Sequence, residues 1–437
     1  METAVFSAQT PAFELKECFT DSTLNVMNFL NEIILEYKDA ISFAPGRPPE
    51  DHLQVESCFD AAREFVNYMG EGSAGREQQI WRELGQYNRT NGIINGFIAQ
   101  QLKNDEGIDV SPDSLIVTVG AQEAMALVLI GLFDPARDIL LASDPTYIGI
   151  TGLARILGIR VLPVPSGDDG LNPEDVERAI QSCFSTGRPR ALYDIPDFNN
   201  PLGTTLSLPR RHSLLDICRK YGVFLIEDNP YGMFRYEGEK IPAMKSLDQH
   251  GTVLYIGSFS KTIFPGLRLG YLIADQKIGS GEQVLVKELS KVKSFLTVNT
   301  SPLLQAITGG ILLANHDSLH TVVRSKVEVV RRNRDVMLES LTKHFDGFEK
   351  HVTWNRPEGG FFITLTLPFP FTEEDLKLCA SRFGVIVCPM CYFALSGGRE
   401  CQVRLSFSYV NEEQIRQGVE RIAAFVSHRC SGSEKEL

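Results

Sequence analysis

Between residues 112 and 275, short apolar runs alternate with stretches whose apolar positions recur every three or four residues. The runs are LIVTVG (115–120), DILLAS (138–143), IRVLPV (159–164), RALYDI (190–195), VFLIED (223–228) and TVLYIGS (252–258). Their length and β-branched content predict strands. The stretches between them, such as AQEAMALVLIGLF (121–133) and LPRRHSLLDICRKYG (208–222), predict helices. Alternation of this kind predicts an α/β domain: crossover units on a mostly parallel sheet that lies between helices.

The flanks follow other patterns. Asp21 and Ser22 are placed to cap an early helix through about Tyr37, with Leu24, Met27, Leu30 and Ile34 at helical spacing. ISFAPGRPPEDHL (41–53) contains three prolines and one glycine, which predicts an extended segment without regular structure. Beyond residue 280, helical patterns run through 301–345. A second strand group then appears in GGFFITLTLP (359–368), FGVIVCP (383–389) and CQVRLSFS (401–408), closed by a helix over 411–428. This predicts a smaller α+β domain joined to the first by a long helix. The expected division is an N-terminal arm with part of the small domain (1–70), a large domain (71–312) and a C-terminal small domain (313–437). No internal repeat or low-complexity segment is visible, and the last residues, SGSEKEL, are expected to fray.

The chain has 437 residues, enough for two domains and a sizeable core. Its net charge of −12 argues against nucleic acid or an anionic membrane as main partner. Small anionic ligands remain open, because a few converging arginines can oppose the global sign. No apolar run approaches the roughly 18 residues of a membrane span. The start, METAVFSAQTPAFELKE, lacks a basic region followed by an apolar core, so no secretory signal is expected. Nine cysteines without short regular spacing fit free thiols in a reducing cytoplasm. Cys388-Pro-Met-Cys391 is expected to be two packed, inert cysteines at a strand end. A zinc site would need two more ligands, and no second such pair exists, so no metal is expected.

Four features lie at strand ends of the large domain, where open α/β sheets place ligands. In VTVGAQEA, Gly120 permits a tight turn, and the amides of Ala121 and Gln122 open a helix at its positive end. That arrangement suits an anion. IPDFNNPLG places Asn200-Pro201 in a loop after a strand. LIEDNPY ends a hydrophobic strand in Asp228, three residues before Tyr231; a carboxylate there needs a cationic or donor partner. SFSKTIFPGLRLGY sets Lys261 in apolar company, with Arg268 seven residues later.

Together with DPTY (144–147), these features resemble the fold-type I pyridoxal-phosphate enzymes, class I/II aminotransferases, and within them the aminoadipate and aromatic aminotransferase subgroup. The order matches as well as the content, from GQYNRTNG at 85 to CQVRLSFS at 401. The resemblance implies an aminotransferase with pyridoxal 5'-phosphate as cofactor, bound by the large domain. Lys261 would bond the cofactor aldehyde as a Schiff base, then carry the α-proton as a neutral amine, which calls for a lowered pKa. Asp228 would hold the pyridinium proton, and Asn200 and Tyr231 the phenolic oxygen. Tyr147 would stack on the ring. Gly120, Ala121, Gln122, Ser258, Ser260 and Arg268 would cup the phosphate. Tyr87 resembles the tyrosine that reaches the phosphate of a neighbouring subunit, which implies a homodimer with shared sites. Arg404 matches the arginine for the substrate α-carboxylate, beside Asn200.

The chain departs from the pattern in two places. Asn199 and Leu202 stand where relatives commonly show Gln and Thr. In APGRPP, Gly46 is retained from a segment that covers the substrate side chain, but Arg47 follows it. Arg47 is a candidate partner for a distal carboxylate or phenol, and Arg89 is a second. The expected reaction is ping-pong transamination between an aromatic, arylglycine-like or long dicarboxylic amino acid and a 2-oxo acid. Alternatives on the same scaffold are a β-lyase, a cyclising synthase or a decarboxylase. A ligand-sensing regulator with an aminotransferase-like domain is a further alternative, and it would need a DNA-binding domain ahead of ISFAPG, where only about 40 residues stand.

Overall fold

The computed structural model describes residues 14–20, 22–53, 55–71, 73, 75–279, 283–347 and 351–433. Asp21, the N-terminal stretch 1–13 and the tail 434–437 lie outside these residues. Eight strands form one sheet in the order Leu115–Thr118, Gly270–Ile273, Val253–Ser258, Phe224–Asn229, Arg188–Asp194, Asp138–Asp144, Arg160–Gly167 and Gly170–Leu171. The five from Val253–Ser258 to Arg160–Gly167 run parallel, and all six expected strand runs lie in this sheet. Residues on both faces are buried, among them Leu140, Leu141, Leu192, Leu225, Ile226, Leu254 and Ile256.

Two strands escape the sequence pattern. Gly170–Leu171 is too short to carry a period. Gly270–Ile273 continues the Arg268 loop and runs antiparallel between Leu115–Thr118 and Val253–Ser258. Its first residue, Gly270, therefore pairs with Thr118 on one side and Ser258 on the other. That register gathers the ends of three strands, and with them Gly120, Ser258 and Arg268, at one edge of the sheet.

A second sheet is antiparallel throughout: Thr353–Trp354, Phe362–Thr366, Gln402–Ser406 and Cys388–Pro389. The 26-residue helix His320–Phe345 precedes it in the chain. The closing helix spans Glu412–Ser433, so the start of SGSEKEL is helical rather than frayed. The segment 41–53 is not wholly irregular either. Ile41–Ser42 pairs in parallel with Val385–Ile386, and Glu50–His52 forms a 3-10 turn. The prolines begin only at Pro45, so the ladder amides of Ile41 and Phe43 stay free to donate, as they do to Gly384 and Ile386. The early helix is shorter than expected, Val26–Glu36 after a 3-10 turn at Ser22–Asn25. Cys388 is buried and Cys391 half-buried, both as free thiols, and burial pushes the Cys388 thiol up to about 11. Among the described residues, no helix is long and apolar enough to cross a membrane.

Candidate active site

A cavity of about 330 Å³ lies at the carboxyl ends of the parallel strands. It is lined by residues from each of the four motifs and by the segment 44–47. Its anion end is built around Gly120, which opens the helix Gly120–Leu132 with φ +70°. A Cβ at Gly120 would lie 2.8 Å from Nη2 of Arg268, so glycine is what lets the guanidinium reach the helix start. Arg268 itself has φ +48°, an unusual value for a side chain of this size. Ala121, Gln122, Ser258 and Ser260 line the same end. Ser258 caps the next turn, its Oγ accepting from the Ser260 amide at 3.2 Å.

The helix start is braced from below by residues that the motifs do not include. Glu123 accepts from the Val119 amide at 2.6 Å and from buried Lys293 Nζ at 2.8 Å. Lys293 also donates to Thr300 Oγ1, whose hydroxyl donates to the Val117 carbonyl. A buried ion pair is held on all sides in this way. Sequence offered one signal for it, an acid in the first turn of a helix, but nothing to name its partner.

Asp228 is the last but one residue of the Phe224–Asn229 strand and is buried. Tyr193, on the adjacent strand, donates to its Oδ2 at 2.7 Å, and Oδ1 is buried without a partner. Burial pushes the carboxyl up to about 7, against the lowering effect of the Tyr193 hydrogen bond and the Lys261 charge. An acceptor oxygen left open in such a place suits a cationic N–H donor. Tyr231 is also buried, and its hydroxyl is raised above the ordinary range by burial, with Asn200 as hydrogen-bond partner. Tyr147 precedes the helix Ile148–Leu157, with its ring against Gly149, where a Cβ would lie 2.3 Å from Cε1. Burial and the Asp228 charge push its hydroxyl up to about 12.

Lys261 sits in the short helix Phe259–Thr262 and donates from Nζ to the Gly46 carbonyl at 2.7 Å. Burial first, then the Arg268, Arg404 and Arg47 guanidinium groups, push its ammonium down to about 8, with Asp228 opposing. A neutral amine is therefore accessible near physiological pH. Arg404, in the strand Gln402–Ser406, is buried between the rings of Phe362 and Phe393, 4.4 and 4.7 Å from their centroids. It donates to Asn200 Oδ1 at 2.6 Å and to the Ala44 carbonyl at 2.5 Å, and its Nε is left unpaired. Phe393 is brought there by Thr146, whose amide donates to its carbonyl, and by Asp144, which accepts from the amides of Leu395 and Ser396.

Gly46 and Arg47 both line the cavity. A Cβ on Gly46 would come within 2.5 Å of the Phe362 ring. The Arg47 carbonyl accepts from Ser408 Oγ, and its guanidinium lies 5.8 Å from the Tyr409 ring centroid. Two of the expected residues are not brought to this cavity within the chain. Tyr87 is 82% exposed, and Arg89 is exposed beside a separate, smaller cavity of about 120 Å³. Among the described residues, no cluster of His, Cys, Asp or Glu is placed to hold a metal ion.

Known proteins resemble this chain in sequence and in fold. The chain is 42% identical over 432 residues to an (S)-3,5-dihydroxyphenylglycine transaminase of Amycolatopsis orientalis, covering 98% of this chain and 97% of that protein. It is 28% identical over 422 residues to aromatic-amino-acid aminotransferase 1 of Thermococcus litoralis, covering 95% of each. A crystal structure of Pyrococcus horikoshii kynurenine aminotransferase superposes with a TM-score of 0.82 at 27% identity, covering 95% of this chain and 97% of that one. The family model for aminotransferase class I and II matches residues 41–422. The chain belongs to the class I and II aminotransferases, enzymes of fold type I that work with pyridoxal 5'-phosphate.

Proposed function

We propose that this enzyme moves the amino group of an aromatic or arylglycine-type amino acid to a 2-oxo acid, in two half-reactions at one site. The observation that carries the reading is the single cavity shared by the Lys261 amine, the unpaired Asp228 Oδ1 and the Arg404 guanidinium clamped between two phenyl rings. The similarity to the dihydroxyphenylglycine transaminase supports an arylglycine side chain. Apolar Met125, Ile148 and Ile195 in the cavity lining support it too, with Arg47 as a donor for ring hydroxyls or a distal carboxylate.

Pyridoxal phosphate, when bound, supplies a carbonyl that bonds amines and a cationic ring that draws electrons from the breaking Cα–H bond. The open Asp228 oxygen fits the protonated ring nitrogen, and the Gly120 cradle with Arg268, Ser258 and Ser260 fits the phosphate. Tyr147 would hold the ring plane from one face, and Asn200 and Tyr231 the phenolic oxygen. Arg404 would take the α-carboxylate through its free Nε and an adjacent Nη. Held so, Cα would present its hydrogen to Lys261, whose neutral amine would accept the proton and return it. The segment 44–47, over Lys261 and Arg404, would keep water from this step.

In this reading residues 71–312 form the cofactor-binding domain, and the enzyme is a homodimer in which Tyr87 serves the neighbouring site. Exposed apolar groups that a subunit interface would cover support it, Phe295 at 92% exposure above all. The cysteine content supports a cytoplasmic setting.

The test is a panel of amino donors read against 2-oxoglutarate and pyruvate. Arylglycine and aromatic donors alone should convert the bound cofactor to its amine form, and a 2-oxo acid should restore it. Release of ammonia or carbon dioxide without that conversion would favour a lyase or decarboxylase instead. Lys261→Ala should abolish the visible band of lysine-bonded cofactor.

A further inference from the structure

One buried lysine has no part in the scheme above. Lys326 lies on the helix His320–Phe345 and is 2% exposed. Its Nζ donates to the carbonyl oxygens of Thr262 and Ile263, at 2.6 Å each. These are the two residues that follow Lys261. The short helix ends there, and Ile263 leaves it with φ −98° and ψ −85°. The next turn closes through Leu267 to Phe264 and Arg268 to Pro265, and among the described residues no backbone amide is paired with either oxygen. A cation at the carbonyl end of a helix is favourable, and here one ammonium satisfies two buried acceptors.

The same segment separates two spaces. Lys261 and Pro265 line the substrate cavity, whereas Ile263, Phe264 and Lys326 line a second cavity of about 440 Å³ together with His52, Asp60 and Glu64. Ile263 and Phe264 pack into an apolar cluster with Phe259, Leu267 and Leu269, which holds their side chains and leaves the two carbonyl oxygens to the ammonium. Burial also pushes the Lys326 ammonium down to about 8, a desolvation cost that an apolar side chain of the same length would avoid. The backbone contacts are what the cost obtains.

We propose that Lys326 is a positioning residue for Lys261: its ammonium clamps the turn that aims the Lys261 amine at the substrate, and so ties that aim to the long helix. The proposal rests on Lys261 being the reacting amine. Its reach is the chemical step, because displacing a reacting group by an ångström costs roughly a hundredfold in rate.

Two variants test it in the cofactor-loaded enzyme. Lys326→Met keeps the length and removes the donor. Its kcat should fall ten- to a hundredfold with KM changed less than about threefold, while borohydride trapping still finds the cofactor on Lys261. In the cofactor-free protein, amide exchange across 259–264 should quicken. Lys326→Ala opens the site to the second cavity, and propylammonium supplies the missing chain and charge. The rate should recover with saturation by propylammonium and not by 1-propanol, and the unsubstituted enzyme should show no such gain. A kcat within twofold of the unsubstituted enzyme in Lys326→Met, with cofactor on Lys261, would overturn this proposal alone. So would a rate loss in a folded Lys326→Ala that propylammonium leaves untouched. Cofactor trapped on another residue would overturn the assignment of Lys261 as well.

Discussion

Tyr193 donates its hydroxyl hydrogen to Oδ2 of Asp228 at 2.7 Å and leaves Oδ1 of the same carboxylate buried and unpaired. One oxygen is held, and the other is aimed. The donor favours the ionised carboxylate that a ring N–H requires, in a place where burial favours the neutral acid. Tyr193→Phe removes the donor and lets the Asp228 carboxyl rise further. A hydrogen bond to a charged group contributes about 1.5–3 kcal/mol, so cofactor affinity should drop about ten- to a hundredfold. Equilibrium dialysis of the cofactor measures it, and an unchanged Kd would remove Tyr193 from the site.

The same carboxyl predicts a pH dependence. Asp228 stands at about 7 in the folded protein against an ordinary 3.8. Between about pH 4 and 7 the cofactor-free fold therefore keeps a proton that the unfolded chain has released. Its contribution to stability is fully present below the ordinary value and is lost as pH rises through 7. Asp228→Asn cannot titrate. Melting temperatures of the two cofactor-free proteins should diverge as pH rises from 4 to 7, the variant falling less. Other buried carboxyls, such as Glu227 and Asp194, are common to both and cancel. Parallel curves would contradict the assignment.

Arg404 offers a planar fork between two rings, and an ammonium has neither the fork nor the stacking. Arg404→Lys should raise KM for the amino donor and lower kcat/KM about a hundredfold, with cofactor binding changed little. Steady-state kinetics with an aromatic donor decide it. A loss confined to kcat would mean that the residue does not bind the ground state.

Gly120→Ala meets two obstacles at once, a left-handed backbone and a Cβ 2.8 Å from the Arg268 guanidinium. The backbone alone costs about 1–2 kcal/mol. Arg268 must also retreat from the helix start, so cofactor affinity should fall at least about tenfold. Titration of cofactor-free protein, followed by fluorescence, measures this.

Lys293→Met leaves Glu123 buried beneath the anion cup without its cation. Breaking one partner of a buried pair costs about 3–5 kcal/mol. Urea denaturation of the cofactor-free variant should show that loss. Lys293→Met combined with Glu123→Gln should recover part of it, because the uncompensated charge is gone.

Much of the site was legible because its parts are local. A glycine between strand and helix, an Asn-Pro loop and a carboxylate ending an apolar run each have a physical meaning within a few residues, and their order narrowed the reading further. Arg268 lies at the same sheet edge as Ser258 because of a strand that the pattern missed. GYLI follows a loop and is four residues long, too short for a period to show. Tyr193 was visible only as one more apolar position in RALYDI, Phe393 only as an aromatic after a cysteine pair, and Lys326 only as a charge on a long helix.

By itself, then, the sequence determined the alternation of strands and helices, the chemistry available at the strand ends and the absence of a long apolar span. These follow from backbone conformation and burial pattern, which act over a few neighbours along the chain. Only the tertiary structure decided which buried groups meet: Tyr193 with Asp228, Lys293 with Glu123, Arg404 between Phe362 and Phe393, Lys326 behind Lys261. An apolar period says that a face is buried, but strand order and register say against what, and those are settled by pairing between segments far apart in the chain.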